Sequence, residues 1–189
     1  MRQLWRLCLV IGCLMSAVST VSADEYSDTL QVFKHAGESA PFLSSAYGYA
    51  VFPSIGKGGF IVGAAHGDGH VYEKGKYVGD TSMTQVSVGF QLGGQAYSEI
   101  LFFQDRGALM RFESGNFALS AGVSAVAITA SAGASAGTEG TEAGASGTEH
   151  NATAVGHYQD GVAVFTVAKG GLMYQATVAG QKFSFNSVH

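Results

Sequence analysis

The stretch TQVSVGFQL, from Thr84 to Leu92, indicates the fold class of this chain. Valine, phenylalanine and leucine alternate in it with glutamine, serine and glycine, which is the two-residue period of a strand with one buried face. The run EILFF, from Glu99 to Phe103, is apolar enough for a strand that is covered on both sides. Further short apolar runs are separated by glycine-containing breaks, as in hairpins. The sequence therefore predicts a sheet of mostly antiparallel strands.

Glycine and proline set the predicted strand ends. A strand from Tyr47 to Phe52 is predicted to end at Pro53, and a strand from Phe60 to His66 is predicted to end in a turn at residues 67–69. Further turns are predicted at 74–76, 160–161 and 179–180. The composition supports many turns, because 27 of the 189 residues are glycine.

Three short helices are predicted beside the strands. Ser27–Ala36 has apolar residues on one helical stripe, and Phe42–Ala46 follows a proline suited to a first helical turn. A third helix is predicted between Asp105 as N-cap and Gly115 as terminator. The predicted fold class is α+β and mostly antiparallel β: short N-terminal helices, then a glycine-rich, curled or barrel-like sheet with one internal helix.

The N-terminus has the pattern of a secretory signal peptide. Arg2 and Arg6 precede an apolar stretch, and the small residues 21–23 form a cleavage site. We therefore predict residues 1–23 as signal peptide and 24–189 as a single domain, exported to the periplasm or secreted. The alternative is a lipoprotein acylated at Cys13.

Charge and cysteine content limit the kinds of partner that we expect for this chain and the means by which its core can be stabilised. Cleavage would remove both cysteines and two arginines, leaving 8 Lys and Arg against 14 Asp and Glu. The remaining basic residues are scattered along this acidic chain, so we expect no nucleic-acid partner. The predicted domain has no cysteine, and its core must be stable without disulfides.

Residues 131–147 contain only Ala, Ser, Gly, Thr and Glu and are predicted to form a low-complexity loop.

No set of residues with a catalytic or metal-binding pattern stands out. The chain has no G-x-S-x-G sequence, and no catalytic residue is assigned. His66, Asp68 and His70 have the alternate spacing that could place three ligands on one strand face, but the glycines between them predict a turn. We therefore assign no metal site and no cofactor, and we expect no enzymatic activity.

Several motifs in a common order resemble the SYLF domain family. They are AYGYAVFPSIGKGGFIVGAAHGD at 46–68, VGFQLGGQAYSEILFF at 88–103, ALMRFESGNF at 108–117, GASAGTEG at 133–140, and a GGL at 170–172 that precedes a strand. Together they cover about residues 40–189. Each motif is weak alone, whereas the ordered set is specific.

The resemblance implies a lipid-binding protein without catalysis, which associates with phospholipid or a membrane surface, peripherally to the envelope. Actin, a partner in intracellular members, is not expected for an exported protein. The residues that we predict to contact lipid are three lysines, as point charges for phosphate, and one apolar side chain. They are Lys57, Lys74, Lys76 and Phe60. An alternative function is a small integral outer-membrane β-barrel, but the predicted helices and the short strands favour a peripheral domain.

Overall fold

The computed structural model describes residues 21–59, 62–88, 95–120, 123–128, 156–169 and 178–188. The helices are α1 (Val21–His35), α2 (Ala40–Ser45) and α3 (Arg106–Glu113). The strands are β1 (Gly48–Gly59), β2 (Val62–Glu73), β3 (Lys76–Val88), β4 (Gln95–Phe103), β5 (Phe117–Ala118), β6 (Ala125–Ile128), β7 (Val162–Lys169) and β8 (Lys182–Ser187). The predicted low-complexity loop 131–147 lies outside the described residues.

The strands form one curled sheet in the order β5-β8-β3-β2-β1-β4-β7-β6. Every neighbouring pair of these described strands is antiparallel except β6 and β7, which run parallel. The sheet is strongly curled, like half a barrel. The predicted α+β class with mostly antiparallel strands is therefore confirmed.

The inner face of the curl holds the larger apolar core. Phe52 on β1 and Phe183 on β8 are separated by two strands in the sheet, yet their ring centroids are 5.7 Å apart. Only a curled sheet brings such side chains into contact, so this face is the concave one. Helix α3 packs against the same core through Leu109 and Phe112. Asp105 caps this helix as predicted, since the Ala108 backbone N–H donates to its side chain at 2.8 Å.

The outer face of the same strands is covered by the N-terminal helices. Phe33 of α1 and Phe42 of α2 pack with Phe102 and Phe165 in a second apolar cluster. Because β4 contributes to both clusters, residues 99–103 are completely buried. The prediction of a strand covered on both sides is confirmed there. The middle of the sheet is thus covered on both faces, and the N-terminal helices border a groove at one end of the sheet.

Two predicted strand ends are wrong. Strand β1 continues through Pro53 because one extra residue forms a β-bulge there, and a bulge tolerates the missing proline N–H. Strand β2 likewise continues through the glycines at 67 and 69. A Cβ at Gly67 would lie 2.8 Å from the Ser54 carbonyl oxygen, and one at Gly69 would lie 2.8 Å from that of Val51. These glycines permit close approach to the bulged strand rather than a turn.

The alternation in β3 is confirmed as far as residue 86, the last whose side chain is described there, but at this point the buried face is the opposite of the expected one. Val86 is 73% exposed, whereas Gln85 is 3% exposed. Register places Gln85 beside Ala65 on the inner face, and its Nε2 donates to the Ala179 carbonyl at 2.9 Å. A buried hydrogen bond thus stabilises Gln85 on the face where the sequence pattern predicted Val86.

Candidate functional site

A groove of about 570 Å³ opens between α1, α2 and the start of β1. Two lysines, two tyrosines and two leucines line it, a combination of positive charge, aromatic surface and apolar surface. We call it the lysine groove. Its lining residues are Leu30, Gln31, Lys34, Leu43, Ser44, Ala46, Tyr47, Gly48, Tyr49, Lys74 and Gly75.

Lys74 is held in the groove by the turn that joins β2 and β3. Lys74 and Gly75 have φ angles of 50° and 79°, which are typical of a two-residue hairpin turn. The Lys74 backbone N–H donates to the Tyr47 carbonyl at 2.9 Å, and the Lys74 Nζ lies 5.0 Å from the centre of the Tyr47 ring. The predicted turn at 74–76 is thus confirmed, and its lysine is positioned by both backbone and ring.

Tyr47 forms one wall of the lysine groove and is fixed at both ends. Its hydroxyl donates to Glu73 Oε1 at 2.6 Å, and its backbone N–H donates to the Phe103 carbonyl at 2.9 Å. The hydrogen bond to Glu73 raises the pKa of Tyr47 above its usual value, so this hydroxyl stays protonated at neutral pH. Tyr49, the second tyrosine, stacks on Tyr72 with ring centroids 4.9 Å apart. The aromatic walls are therefore rigid neutral surfaces.

Lys34 reaches the groove from the last turn of α1. It lies one helical turn after Leu30, so the charged and the apolar side chain share one side of the helix. The side chain is exposed, and a cation at a helix C-terminus is favoured by the helix dipole. Lys34 and Lys74, 40 positions apart in sequence, thus line one groove.

Comparison with known proteins shows the family to which this chain belongs. Residues 84–187, from the second half of β3 to the end of β8, match the Ysc84 family, described as Las17-binding protein actin regulator. The residues that line the lysine groove precede this span. The chain belongs to this family. The match confirms the SYLF resemblance that the sequence motifs indicated. The description of Las17 binding and actin regulation belongs to the Ysc84 family, and not to this chain in particular. No curated protein matches the chain.

The four predicted lipid contacts lie in different environments in this Ysc84 family member. Lys74 lines the lysine groove, and Lys76 is exposed at the start of β3 but is not among the lining residues. Lys57 is only 7% exposed on the inner face of β1, and burial lowers its pKa. Phe60 lies outside the described residues. The structure thus brings Lys74 together with Lys34, which the sequence analysis had not selected.

Sequence reasoning missed Lys34 because a single lysine on an acidic chain carries little information. The signal that could have identified it is its spacing of four residues from Leu30 on the predicted helix. The aromatic pair Tyr47 and Tyr49 gave a second signal, because the apolar ring and polar hydroxyl of tyrosine suit partly exposed positions.

The H-x-D-x-H residues lie within β2 rather than in a turn, with His66 and Asp68 exposed and His70 half-buried. His66 Nε2 is 3.8 Å from Asp68 Oδ1, and His70 Nε2 is 3.4 Å from Asp80 Oδ1. The His70 ring stacks on Tyr26 of α1 at a centroid distance of 3.5 Å. Within the described ranges, no group of three or more His, Cys, Asp or Glu residues is placed to hold a metal ion. His70 thus helps α1 pack on the sheet.

Among the described residues, no helix is both long enough and apolar enough to cross a bilayer.

Proposed function

We propose that this chain is an exported, non-enzymatic protein that binds phospholipid at a membrane surface through the lysine groove. The observation that carries the proposal is the convergence of Lys34 and Lys74 with aromatic and apolar walls. A phospholipid presents the complementary chemistry, since it has an anionic phosphate beside apolar chains. Membership of the Ysc84 family agrees with a binding role.

The two lysines would contact phosphate oxygens as flexible point charges. Lys74 is preorganised for this role, because its backbone is hydrogen-bonded to Tyr47 and its ammonium lies over the tyrosine ring. Leu30 and Leu43 on the helices would cover the first carbons of the lipid. A local cationic site is required, because the chain as a whole has a formal net charge of -4.

Binding without chemistry is supported by the side chains that line the groove. The lining residues described there offer lysine, tyrosine, serine, glutamine and apolar groups, and include no histidine or carboxylate as a general base. The Tyr47 hydroxyl already donates its hydrogen bond to Glu73. The groove is therefore suited to binding rather than to acid–base catalysis.

Vesicle sedimentation tests the proposal. The domain from Asp24 to His189 should sediment with vesicles that contain phosphatidylglycerol and remain in solution with pure phosphatidylcholine. Lys74→Gln should weaken sedimentation, whereas Lys182→Gln, the same change on exposed β8, should not. Equal losses in both variants would exclude the groove as the site. No sedimentation of the wild-type domain with any bacterial lipid mixture would exclude the function.

Export is part of the same proposal and has its own test. Helix α1 begins at Val21, and cleavage after residue 23 would keep Tyr26, Leu30 and Phe33, which pack on the sheet. N-terminal sequencing of the protein from the cell envelope should begin at Asp24. A chain that begins with an acylated Cys13 would establish a lipoprotein instead. A mature chain that is soluble only in detergent would favour the integral outer-membrane alternative.

A further inference from the structure

A hydrogen-bonded clasp spans the inner side of the curled sheet. Gln181, next to the first residue of β8, donates from Nε2 to Glu99 Oε2 at 2.9 Å and to the Tyr97 hydroxyl oxygen at 3.3 Å. Strands β3, β2 and β1 lie between β8 and β4 in the sheet. These bonds therefore connect two parts of the chain that are not neighbours in the sheet, across its concave side. We call Tyr97, Glu99 and Gln181 the inner clasp.

The clasp ties a whole segment to β4, not a single side chain. Residues 178–181 are held by the Gln85 Nε2 bond to the Ala179 carbonyl. The Gly180 N–H donates to the Leu119 carbonyl at 3.2 Å, and the Leu119 N–H donates to the Gln181 carbonyl at 3.0 Å. Breaking the clasp would therefore loosen the 178–181 segment together with residue 119, which lies over the inner core.

Glu99 is the group whose charge the clasp cannot easily accommodate. Its side chain is 0% exposed, and burial raises its pKa to about 8, with the hydrogen bond from Gln181 opposing part of that effect. At the clasp, the buried oxygen atoms Glu99 Oε1, Gln181 Oε1 and Thr166 Oγ1 have no hydrogen-bond partner within the described part of the chain. Thr166 lies directly opposite Glu99 in the register of β4 and β7. A protonated carboxyl leaves this buried site uncharged, whereas a carboxylate would bring negative charge next to buried oxygen atoms.

The other ionisable groups on this face are few in the part of the chain that the structure describes. Tyr97 is on the same strand, two residues away. Lys57 on β1 is in register with Gln95, four residues from Glu99 along β4. The residues that face Glu99 from β1, from β7 and from the 178–181 segment are Phe52, Thr166 and Gln181, which do not titrate. The protonation state of Glu99 is thus the main property of the inner clasp that changes with pH.

We propose that the inner clasp is a proton-dependent latch, in which protonated Glu99 holds the 178–181 segment across the curl and ionised Glu99 releases it. The proposal does not depend on the lipid function. Opening exposes Glu99 to water, where it loses its proton, so opening becomes more favourable as pH rises from the exposed value of 4.5 towards about 8. Release also uncovers the inner core beside Phe183, so the latch couples pH to access to this core.

Amide hydrogen exchange tests the latch on the domain from Asp24 to His189. After correction for the intrinsic exchange rate, the opening equilibrium of the Leu119 and Gly180 amides should increase about tenfold per pH unit between pH 5.5 and 7.5. In Glu99→Gln the same amides should show an opening equilibrium that is independent of pH. The Gln104 amide, which donates to the Gly161 carbonyl away from the clasp, is the internal control and should not change with pH in either protein.

Two results would overturn the proposal. One is a pH dependence at Leu119 and Gly180 that is the same in the wild type and in Glu99→Gln. The other needs no variant: a titration of the Glu99 side-chain carboxyl by carbon NMR in the wild-type domain. A midpoint near 8 supports the latch, and a midpoint below about 6 contradicts it.

Discussion

Gly69 on β2 lies so close to Phe52 on β1 that a Cβ atom at position 69 would be 2.6 Å from the phenylalanine ring. The same Cβ would be 2.8 Å from the Val51 carbonyl oxygen, which belongs to the backbone and cannot rotate away. The bulge in β1 begins at this point, between Val51 and Gly56. The approach of the two backbones thus depends on the absence of a side chain at position 69.

Replacement of Gly69 by alanine should therefore destabilise the domain by about 1 to 3 kcal/mol, because the new methyl group meets backbone and ring atoms. Gly58→Ala is the matched control, since a Cβ at position 58 meets nothing within 4 Å. The control should change stability by less than about 0.5 kcal/mol. Urea unfolding of both variants measures the difference, and equal stabilities would contradict the close-approach explanation.

Removal of the Thr166 hydroxyl should be neutral or stabilising. Its Oγ1 is buried and has no hydrogen-bond partner in the described part of the chain, so Thr166→Val removes an unsatisfied polar atom while keeping the shape. Ser98→Ala is the contrasting variant, because the buried Ser98 hydroxyl donates to the Pro53 carbonyl at 2.7 Å. It should cost about 1 kcal/mol. A larger loss from Thr166→Val than from Ser98→Ala in thermal unfolding would show that Thr166 has a partner.

The stability of the wild-type domain should fall as pH rises between 4.5 and about 8. In this window the unfolded state has released the Glu99 proton and the folded state retains it, so the slope is about 1.4 kcal/mol per pH unit for this group. The contribution is fully present below 4.5 and is lost above about 8. Urea unfolding at several pH values should show that Glu99→Gln lacks this part of the slope. Parallel curves for the two proteins would contradict a raised pKa.

Lipid binding should survive moderate salt. Each lysine near an anionic surface contributes on the order of 1 kcal/mol, so the double variant Lys34→Gln with Lys74→Gln should bind about 20- to 30-fold more weakly. The apolar wall of the groove is not screened by salt, and part of the affinity should remain at high ionic strength. Sedimentation at low and high salt measures this. Complete loss in salt would show that charge alone carries the binding.

Local signals in the sequence predicted the elements that depend on a few neighbouring residues. Asp105 and Gly115 indicated the internal helix correctly, since a cap and a terminator act within one turn of chain. Lys74 and Gly75 likewise occupy the predicted turn. The candidate site was predicted only in part: Lys74 lies in the groove, and Lys34 was missed because its partner is distant in sequence.

The class of fold could be predicted from local patterns, because the two-residue period and the glycine-flanked turns are properties of short segments. Which face each strand buries, and which side chains meet across the curl, depend on the folded sheet as a whole. Gln85 and Lys57 point inward because the register of β1, β2 and β3 places them on the concave side. Gln181 meets Glu99 because the sheet bends over three intervening strands. Register and curvature arise from contacts far apart in the chain, and no local pattern encodes them.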